Sequence, residues 1–390
     1  MNKLLCVCFP YGNNLDPSGI QIKRLNSGLK GYIETLVLYR GYRNSTVPNE
    51  NEIQAKQIGL SFLDRLCFYI SPALACFFSI DQYLWIVKVY NRIKKMHDVD
   101  YIMISSCPFP LQILGLFVKR IKKKYIAQFL DPLVDNTYLK RSFILNIFLK
   151  KYERFIVKNA DLVILNNYVV YSLFSRRYSE YVDKIVVLPH CTENNLNVIQ
   201  NGRRSGKVKL IHAGSLYGER KITEINIALK EMKQKLEGKL SDCFEILLIG
   251  RIDNSIKEEI KQCNNEDIIR IIPPVSATAL YEYYSKVDGF IVVDSLNVDN
   301  VFFPSKLCEY FSFNKIIFGF SPKISTTRDL LEESGHFCFG IGESGVFAQT
   351  LLNLIKDRYC YDEIFDKMYY KKFLPEVVGQ KFVTYLKSLS

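Results

Sequence analysis

The sequence predicts an α/β protein made of two doubly wound, Rossmann-like domains. Short apolar runs alternate with longer amphipathic stretches, which is typical of βαβ units in parallel sheets. The chain has 390 residues, enough for two domains of ordinary size, and its 48% hydrophobic and 24% charged content excludes a disordered protein. A polar, turn-rich break at residues 191–207 interrupts the alternation, which then restarts.

The first domain is predicted to span residues 1–190. Its apolar runs predict strands at Lys3–Phe9, Thr35–Tyr39, Tyr101–Ser105, Tyr125–Gln128, Leu162–Asn166 and Ile185–Leu188. Helical periodicity between them predicts helices near 18–30, 61–96, 108–122, 138–158 and 168–178. This order of elements favours a doubly wound parallel sheet.

The second domain is predicted to span residues 208–365, after the linker at 191–207. Its predicted strands are Val208–Ala213, Glu245–Ile249, Ile269–Ile272, Gly289–Val293, Ile316–Phe320 and His336–Phe339. Helices are predicted near 220–237, 254–263, 276–286, 304–313, 325–333 and 344–356, with a last helical run near 362–387. We expect residues 366–390 to pack back on the first domain, and the two domains to face a central cleft where ligands bind.

The positive charge lies in the first half of the chain. Residues 1–190 hold 26 Lys and Arg against 14 Asp and Glu, which accounts for the whole net charge of +12. The sharpest basic run is Lys119–Lys124, after the apolar stretch Leu111–Val118. Together with the apolar segment Leu66–Ile80, it favours peripheral contact with an anionic inner membrane, although a solvated helix end is the alternative. We expect no nucleic-acid partner, because no DNA- or RNA-binding motif accompanies the charge.

The cysteines and the N-terminus favour a cytoplasmic protein. The 11 cysteines are scattered without a CxxC pair, which favours reduced thiols over disulfides. Met1–Pro10 is predicted to be a first strand and not a secretory signal. Leu66–Ile80 is shorter than the roughly 18–20 residues that span a bilayer, so a peripheral protein on the cytoplasmic face is expected.

Two segments of the second domain have the composition of an anion site. Gly214–Lys221 combines a glycine turn with the adjacent cations Arg220 and Lys221 before a helix, which predicts a phosphate cradle. Pro304–Tyr310 predicts a helix start that could hold a phosphate, with Glu309 one turn inside, where its carboxylate can accept hydrogen bonds from a ribose diol. Simple turn residues and a capped amphipathic helix are the alternatives.

These motifs carry a resemblance to a known family. Gly214–Lys221, Gly250-Arg251, the stretch Ile271–Ser276 and Pro304–Tyr310 resemble the nucleotide-binding domain of the retaining glycosyltransferases called family 4, which have the two-domain GT-B fold. The resemblance covers most of residues 208–355. The first domain is more loosely similar, through the glycine loop at Gly12, Asp131-Pro132 and Glu153-Arg154. The Asp-Pro pair resembles a subgroup from bacterial surface-polysaccharide synthesis.

The resemblance implies a hexosyltransferase. It would move a sugar, with retention, from a UDP- or GDP-linked donor to a glycan or lipid-linked acceptor in capsule or O-antigen synthesis. It implies catalytic roles for Arg220 and Lys221 at the donor diphosphate, and for Asp131 on the acceptor side or at the sugar. The implied donor-binding residues are Gly12, Gly214, Gly250, Arg251, Pro274, Val275, Ser305, Lys306, Leu307 and Glu309, with Glu309 on the ribose.

The sequence departs from the family pattern at two positions. Val301 stands where many members carry a first acid eight positions before Glu309, and Asp299 is two residues away. Ser215 stands where an Arg often follows the first glycine. No Asp-x-Asp pair has a metal-ligand setting, so neither a metal nor another cofactor is expected. None of His97, His190, His212 and His336 lies in a catalytic motif, and His212 is expected to line the core or the cleft.

Three alternatives stay open. A sugar-nucleotide epimerase of the same fold would bind the donor without transferring the sugar. A non-catalytic nucleotide-sugar-binding subunit is motivated by Val301 and Ser215. A two-domain sugar-binding protein of the periplasmic kind is disfavoured by the free cysteines.

Overall fold

A computed structural model describes residues 3–9, 17–41, 52–56, 80–106, 109–136, 143–193, 206–237, 239–296 and 299–389. The chain divides into two compact units. The first consists of residues 1–191 and 372–390, and the second of residues 192–371.

The first unit contains a seven-stranded sheet in which every strand pair is parallel. Its strands are β1 (Lys3–Cys8), β2 (Glu34–Gly41), β3 (Glu52–Lys56), β4 (Tyr101–Ser105), β5 (Lys124–Phe129), β6 (Leu162–Leu165) and β7 (Ile185–Val187). Their order is β3-β2-β1-β4-β5-β6-β7. The six strands predicted from the sequence are present with ends within two residues, and β3 is an addition.

The described residues of the first unit that precede the second unit in the chain include five α-helices. They are α1 (Pro17–Gly28), α2 (Ile80–Ile93), α3 (Leu114–Arg120), α4 (Phe143–Asn159) and α5 (Tyr168–Arg177), with 3₁₀ turns at Phe109–Ile113 and Ser179–Lys184. The helix predicted over 61–96 is described only from Ile80 onward. The apolar segment 66–80 therefore lies almost wholly outside the described residues.

The second unit contains a six-stranded parallel sheet. Its strands are β8 (Val208–Ala213), β9 (Phe244–Ile249), β10 (Ile269–Ile272), β11 (Gly289–Val293), β12 (Ile316–Phe320) and β13 (Phe337–Phe339), in the order β10-β9-β8-β11-β12-β13. Its helices are α6 (Thr223–Lys235), α7 (Leu240–Cys243), α8 (Asn254–Gln262), α9 (Ala277–Lys286), α10 (Lys306–Phe311), α11 (Thr326–Glu333) and α12 (Ser344–Lys356). Every strand predicted here is present within one residue of its predicted ends.

Both sheets reverse their strand order beside the first strand of the unit. In the first sheet β1 lies between β2 and β4, and in the second β8 lies between β9 and β11. Each unit is thus a doubly wound Rossmann-like domain, and the two-domain α/β architecture predicted from the sequence is confirmed. In such sheets ligands bind outside the carboxyl ends of the strands at the reversal.

The core of the second unit explains why its apolar runs were readable as strands. β9, β11 and β12 are flanked by helices, and β11 and β12 are buried at every residue. A strand covered on both faces is apolar throughout, because neither face meets water. Lys315, which directly precedes β12, is buried at 2% exposure. Its ammonium donates to the carbonyls of Tyr284, Ser285 and Val287, so that it caps the end of α9.

The last helix, α13 (Pro375–Lys387), packs on α1 of the first unit. The backbones meet at two glycines, since a Cβ on Gly379 would lie 2.2 Å from the carbonyl oxygen of Gly28. Val378 and Phe382 are buried in the same core as Ile22. The helical run predicted over 362–387 is broken, with a 3₁₀ turn at Tyr369–Phe373 before Pro375 opens α13.

Candidate functional site

The turn after β8 is built by two glycines that touch. The amide of Gly214 donates to the carbonyl of Ile249 at 2.8 Å. Gly250 has φ +147°, and a Cβ there would lie 2.1 Å from the carbonyl oxygen of Gly214. Only glycine fits at position 250, because a side chain would collide with this backbone. The turns after β8 and β9 are thereby held together at the carboxyl edge of the sheet.

Two side chains converge on Gly214. A Cβ on Gly214 would lie 3.4 Å from the ammonium nitrogen of Lys306 and 3.3 Å from Nε2 of His212. Lys306 begins α10, whereas His212 belongs to β8. A cation and an imidazole therefore border the small space over a glycine that has no side chain of its own.

Tyr310 fixes α10 against the end of β8. Its hydroxyl accepts a hydrogen bond from the amide of Ala213 at 2.9 Å. Its ring stacks on Phe290 of β11, with centroids 4.2 Å apart and planes at 12°. Because Tyr310 is buried and held at both ends, Lys306 and Glu309 on the same short helix are placed beside the Gly214 turn.

The charges around Gly214 influence one another. The pKa of Lys306 is lowered to about 8, chiefly by burial, with Glu309 raising it and Arg220 lowering it. Burial lowers the pKa of His212 to about 3, helped by Lys306 and Arg220. Gly214, His212, Arg220, Lys306 and Glu309 are called the Gly214 cluster below. The cluster has two cations, Arg220 and Lys306, against the carboxylate of Glu309, and the carboxyl of Asp294 also lies close enough to interact with Arg220. The Lys306 side of the cluster, over Gly214, is therefore the part suited to an anion.

The two cations predicted side by side diverge in the structure. The guanidinium of Arg220 lies 5.4 Å from the ring centroid of Tyr217 and acts on the pKa of His212 and Lys306. Lys221 is exposed, and its ammonium is 3.4 Å from the hydroxyl of Ser255 in α8. The structure brings Arg220 into the cluster and directs Lys221 along the surface toward α8.

The remaining residues of the predicted helix start have different surroundings. α10 has six residues, so it is shorter than the predicted helix over 304–313. Ser305 precedes it in helical conformation and makes no side-chain cap. Leu307 is fully buried in the core, and its backbone amide donates to the carbonyl of Pro304 at 2.9 Å.

The loop after β10 was predicted to frame the base of a nucleotide. Pro274 is exposed and Val275 is half-buried, and Ser276 follows as the cap of α9, accepting from the amide of Ala279. Arg251 has an exposed side chain, and its carbonyl accepts from the amide of Leu216 at 3.0 Å. This loop and the Gly250 turn both lie at the carboxyl edge of the sheet.

Asp294, which sequence reasoning assigned no role, follows β11 at the strand reversal. It is 1% exposed and accepts a hydrogen bond from the hydroxyl of Ser321 at 2.8 Å. Burial raises its pKa, against the opposing effects of neighbours that include Ser321 and Arg220. Farther along, Val301 is buried, whereas Asp299 is exposed.

Asp131 lies in the first unit, in the loop after β5. That loop is held by Glu153, which is fully buried and accepts from the amides of Leu133 at 3.1 Å and Val134 at 2.9 Å. Arg177 donates to Glu153 at 2.9 Å and also pairs with Asp135 in the same loop. Glu153 therefore positions the Asp131 loop. Gly12 lies outside the described residues.

Sequence reasoning assigned no site role to His212, which belongs to the Gly214 cluster, or to Tyr310, which holds α10 beside it. A signal existed for His212, because it is the only polar residue among the last four of β8 and stands two positions before Gly214. Tyr310 had no such signal, since an aromatic residue on a short apolar helix is usually a core residue.

Comparison with known proteins agrees with the architecture. No protein-family model matches the sequence, and no curated protein matches it either. Solved structures do match. A sucrose-phosphate synthase from Thermosynechococcus elongatus has 11% identity and a TM-score of 0.69, with 100% of this chain and 99% of that chain covered. The lipopolysaccharide outer core galactosyltransferase WaaB, in its apo form, has 13% identity and a TM-score of 0.65, with 99% of both chains covered.

A third similar structure is the trehalose-6-phosphate synthase OtsA. It is 11% identical, with a TM-score of 0.68 and 99% of both chains covered. Another match, described as trehalose-6-phosphate from E. coli, was solved with UDP-2-fluoro glucose bound and has a TM-score of 0.66 at 11% identity, covering 100% of this chain and 99% of that chain. The chain has the GT-B fold. At such low identity, the similarity shows the fold alone.

The described residues contain neither a candidate metal site nor a candidate membrane-spanning helix. No group of three or more His, Cys, Asp or Glu side chains in the described ranges is placed to hold a metal ion. No helix in the described part of the chain is both long enough and apolar enough to cross a bilayer.

Proposed function

We propose that this protein is a glycosyltransferase that moves a sugar from a nucleoside-diphosphate donor to a glycan or lipid-linked acceptor. The observation that carries the proposal is the position of the Lys306 ammonium beside Gly214, at the strand reversal of the second sheet, with Arg220 and Glu309 close enough to act on its charge. The similar solved structures include synthases and a galactosyltransferase, and one holds a UDP-sugar analogue. We further propose that the transfer proceeds with retention and without a metal, in bacterial surface-polysaccharide synthesis.

The donor diphosphate is proposed to lie over Gly214. There, Lys306 and Arg220 would neutralise its charge, and the missing side chain of Gly214 would let phosphate oxygens approach the backbone. The backbone amide of Ser305 would add a hydrogen bond, and that of Leu307, which donates to the carbonyl of Pro304 at 2.9 Å, would have to share its hydrogen with the phosphate. From its exposed position near Ser255, Lys221 would contribute counter-charge at longer range, where solvent screens it.

The nucleoside is proposed to extend from the diphosphate along the carboxyl edge of the sheet. Glu309 would accept hydrogen bonds from the two ribose hydroxyls, because a carboxylate offers two acceptor oxygens. Gly250, Arg251, Pro274 and Val275 would frame the base. Contacts of that kind are made largely by backbone, so either a uridine or a guanosine donor is compatible with them.

The chemical step needs stabilised charge more than acid–base catalysis. The bond between the anomeric carbon and the diphosphate oxygen breaks, and its electron pair leaves with the nucleoside diphosphate. The acceptor oxygen bonds to the anomeric carbon on the same face, and its proton passes to the departing phosphate oxygen. Arg220 and Lys306 would stabilise the charge that develops on that oxygen.

Asp131 is proposed to act on the acceptor side. Its loop follows the carboxyl end of β5 and is anchored by Glu153, so that the carboxylate belongs to a rigid segment. A carboxylate is suited to orient an attacking hydroxyl by accepting its hydrogen bond. Gly12, outside the described residues, stays a prediction for close approach to the donor phosphates.

A panel of nucleotide sugars tests the activity. The purified full-length protein is incubated with UDP- and GDP-linked hexoses, with and without glycan and polyprenyl-diphosphate acceptors. Acceptor-dependent release of the nucleoside diphosphate supports the proposal, with Glu309→Ala and Lys306→Met reducing it at least a hundredfold. Interconversion of nucleotide sugars would instead indicate an epimerase, and binding without turnover a non-catalytic subunit.

We also propose peripheral contact with an anionic membrane on the cytoplasmic side, and the exposed face of helix α4 in the first unit supports the contact itself. Its solvent face exposes Phe143 at 80%, Phe155 at 45% and Phe148 at 43%. Exposed Lys150 and Lys151 lie on the same helix. Apolar side chains beside cations are suited to a bilayer surface with negative headgroups.

The sequence predicts this membrane contact at the basic run Lys119–Lys124. Two lysines of that run already interact with other protein groups. Lys119 pairs with Asp161 at 2.7 Å, and the ammonium of Lys123 donates to the carbonyls of His97 and Val99. Because these lysines already have protein partners, we assign the membrane surface to α4.

Vesicle sedimentation tests this assignment. The protein is expected to sediment with phosphatidylglycerol vesicles and much less with phosphatidylcholine vesicles. Phe143→Ser with Phe155→Ser should reduce sedimentation, as should Lys150→Glu with Lys151→Glu. Ile341→Ser, at a 64% exposed apolar residue of the second unit, is the matched control. Equal sedimentation of all the variants would remove α4 from the account.

A further inference from the structure

We propose that His212 recognises the transferred sugar, with Nε2 of its imidazole accepting a hydrogen bond from a sugar hydroxyl of the donor. The inference rests on the proposed function and adds a specificity residue to it. It starts from an atom that is buried in the Gly214 cluster and has no hydrogen-bond partner there.

The hydrogen-bonding character of Nε2 is set by the other ring nitrogen. Nδ1 of His212 lies 3.1 Å from the carbonyl oxygen of Ile291 in β11. A carbonyl oxygen only accepts, so Nδ1 carries the proton and Nε2 presents a lone pair. The neighbouring strand thus fixes the ring as an acceptor pointing toward the Gly214 turn.

The surroundings keep the imidazole neutral. Its side chain is 7% exposed, and Lys306 and Arg220 lie close enough to add to the effect of burial, which lowers its pKa to about 3. At neutral pH, Nε2 of the ligand-free protein is therefore an acceptor, and the neutral ring does not add a third cation to the cluster.

The unpartnered atom indicates which ligand group it meets. A buried acceptor without a partner costs about 1–3 kcal/mol, so a bound ligand that supplies a donor recovers that free energy. Phosphate oxygens have no proton to give at neutral pH, whereas a sugar hydroxyl has. Nε2 and the ammonium of Lys306 flank the same point over Gly214, at 3.3 Å and 3.4 Å. A ligand there carries an anionic group for Lys306 and a hydroxyl for His212.

The combination of phosphate and adjoining hydroxyl matches a sugar attached to a diphosphate. It does not match the nucleoside diphosphate alone, whose ribose is assigned to Glu309. His212 should therefore contribute to the affinity for the whole donor and not to the affinity for the diphosphate portion. This difference separates a role in sugar recognition from a role in holding Lys306.

Titration calorimetry on the full-length protein tests the inference. The ligands are UDP, UDP-glucose, GDP and GDP-mannose, followed by the monodeoxyfluoro analogues of whichever nucleotide sugar binds, since fluorine cannot donate. We expect His212→Met to bind the nucleoside diphosphate within about twofold of wild type and the nucleotide sugar about tenfold more weakly. One fluoro analogue should bind the wild-type protein about tenfold more weakly than the parent nucleotide sugar does. The same analogue should bind His212→Met with the same affinity as the parent nucleotide sugar.

Three controls keep the outcomes distinct. His336→Gln changes another buried neutral histidine of the second unit and should leave the ratio of the two affinities unchanged. His212→Gln, which can present an amide oxygen, should retain more of the sugar affinity than His212→Met. The analogue series on wild type needs no folded variant, and equal affinity for every fluoro analogue would overturn the inference.

Other results would also count against it. If His212→Met weakens the nucleoside diphosphate as much as the nucleotide sugar, His212 positions Lys306 instead. If both affinities match wild type, His212 is a core residue only. Those two outcomes leave the proposed function intact, whereas failure of every nucleotide to bind wild type overturns both.

Discussion

The carbonyl oxygen of Gly214 lies directly against Gly250, so that a Cβ built at position 250 would be 2.1 Å from that oxygen. This contact joins the turns after two neighbouring strands. On the side of Gly214 where a side chain would lie, the nearest groups are the ammonium of Lys306 and the imidazole of His212. The proposed donor site thus depends on a backbone contact between two residues that have no side chains.

Gly250→Ala tests that dependence. The new methyl group would collide with backbone at a φ of +147°, where alanine is strained, so the turn has to shift. We expect a loss of about 2–4 kcal/mol in the free energy of unfolding and at least tenfold weaker UDP or GDP binding. Urea unfolding and calorimetry provide the two readouts.

The matched control is Gly345→Ala. A Cβ there meets only Glu231 Oε2 at 3.4 Å, and the residue lies in the first turn of α12. We expect its stability and nucleotide binding to match wild type. Wild-type binding by Gly250→Ala would show that the two turns do not need this contact.

Lys306 predicts a pH dependence of donor binding. Its pKa of about 8 is lowered from 10.5 chiefly by burial, with Arg220 adding to the effect and Glu309 opposing it. As pH rises through about 8 the ammonium is lost, so the affinity for UDP or GDP should fall toward tenfold per pH unit. Lys306→Arg stays charged and should lack this fall. A flat profile in the wild type between pH 7 and about 9.5 would contradict the assignment.

The lowered pKa of Lys306 also predicts how stability changes with pH. The free energy of unfolding should rise over the pH range in which nucleotide affinity falls. Between pH 8 and 10.5 the unfolded chain holds the Lys306 proton and the folded chain has lost it, so the free energy of unfolding should rise with pH in that window. Lys306→Met removes this contribution. Urea unfolding of the two proteins at pH 7.5 and pH 9.5 measures the difference, and equal changes in both would show that Lys306 titrates normally.

Glu153 and Arg154 are adjacent in sequence, but substituting them should have very different effects on the free energy of unfolding. Glu153 is fully buried and accepts from Arg177, Tyr178 and two amides of the Asp131 loop. Glu153→Gln breaks the buried ion pair and turns an amide donor toward those groups, so we expect a loss of about 3 kcal/mol. Arg154→Gln removes only the exposed pair with Glu180 and should cost about 0.5 kcal/mol or less. Equal urea midpoints for Glu153→Gln and Arg154→Gln would contradict the role of Glu153 in holding the Asp131 loop.

His336 predicts part of the acid sensitivity of the fold. Its Nδ1 accepts from the amide of Ile317, and burial lowers its pKa to about 3. As pH falls below 6.5, His336 becomes protonated in the unfolded chain but stays neutral in the folded chain. The free energy of unfolding therefore falls between pH 6.5 and pH 3. His336→Asn keeps an acceptor oxygen and should flatten this loss by up to about 1.4 kcal/mol per pH unit. An unchanged slope in urea unfolding at about pH 7 and pH 5 would contradict it.

The sheets were predictable because most of their strands are buried on both faces. β11 and β12 are apolar runs that no helix period fits, and their predicted and observed ends coincide. β3 has the sequence EIQAK, which lacks an apolar run, so its pairing with β2 could not be inferred. α7 has four residues, too few for a helical period to be visible.

The proximity of residues in the candidate site was predictable to the extent that they belong to local motifs. Gly214, Lys306 and Glu309 belong to segments whose composition indicates anion binding, and these residues lie together. The side-chain direction of Lys221 could not be predicted from the motif, because adjacent residues at a turn can point in different directions. The contacts of His212 with Ile291 and of Tyr310 with Ala213 join residues 79 and 97 positions apart, a separation at which sequence periodicity carries no information.

The most direct test of the account is titration of the full-length protein with UDP and with GDP, compared with Lys306→Met and with Lys257→Met, an exposed lysine of α8. We predict that wild type and Lys257→Met bind one of the two nucleotides equally well, and that Lys306→Met binds it at least tenfold more weakly. Binding by Lys306→Met at wild-type affinity, or no binding of either nucleotide by wild type, would contradict a nucleoside-diphosphate site over Gly214.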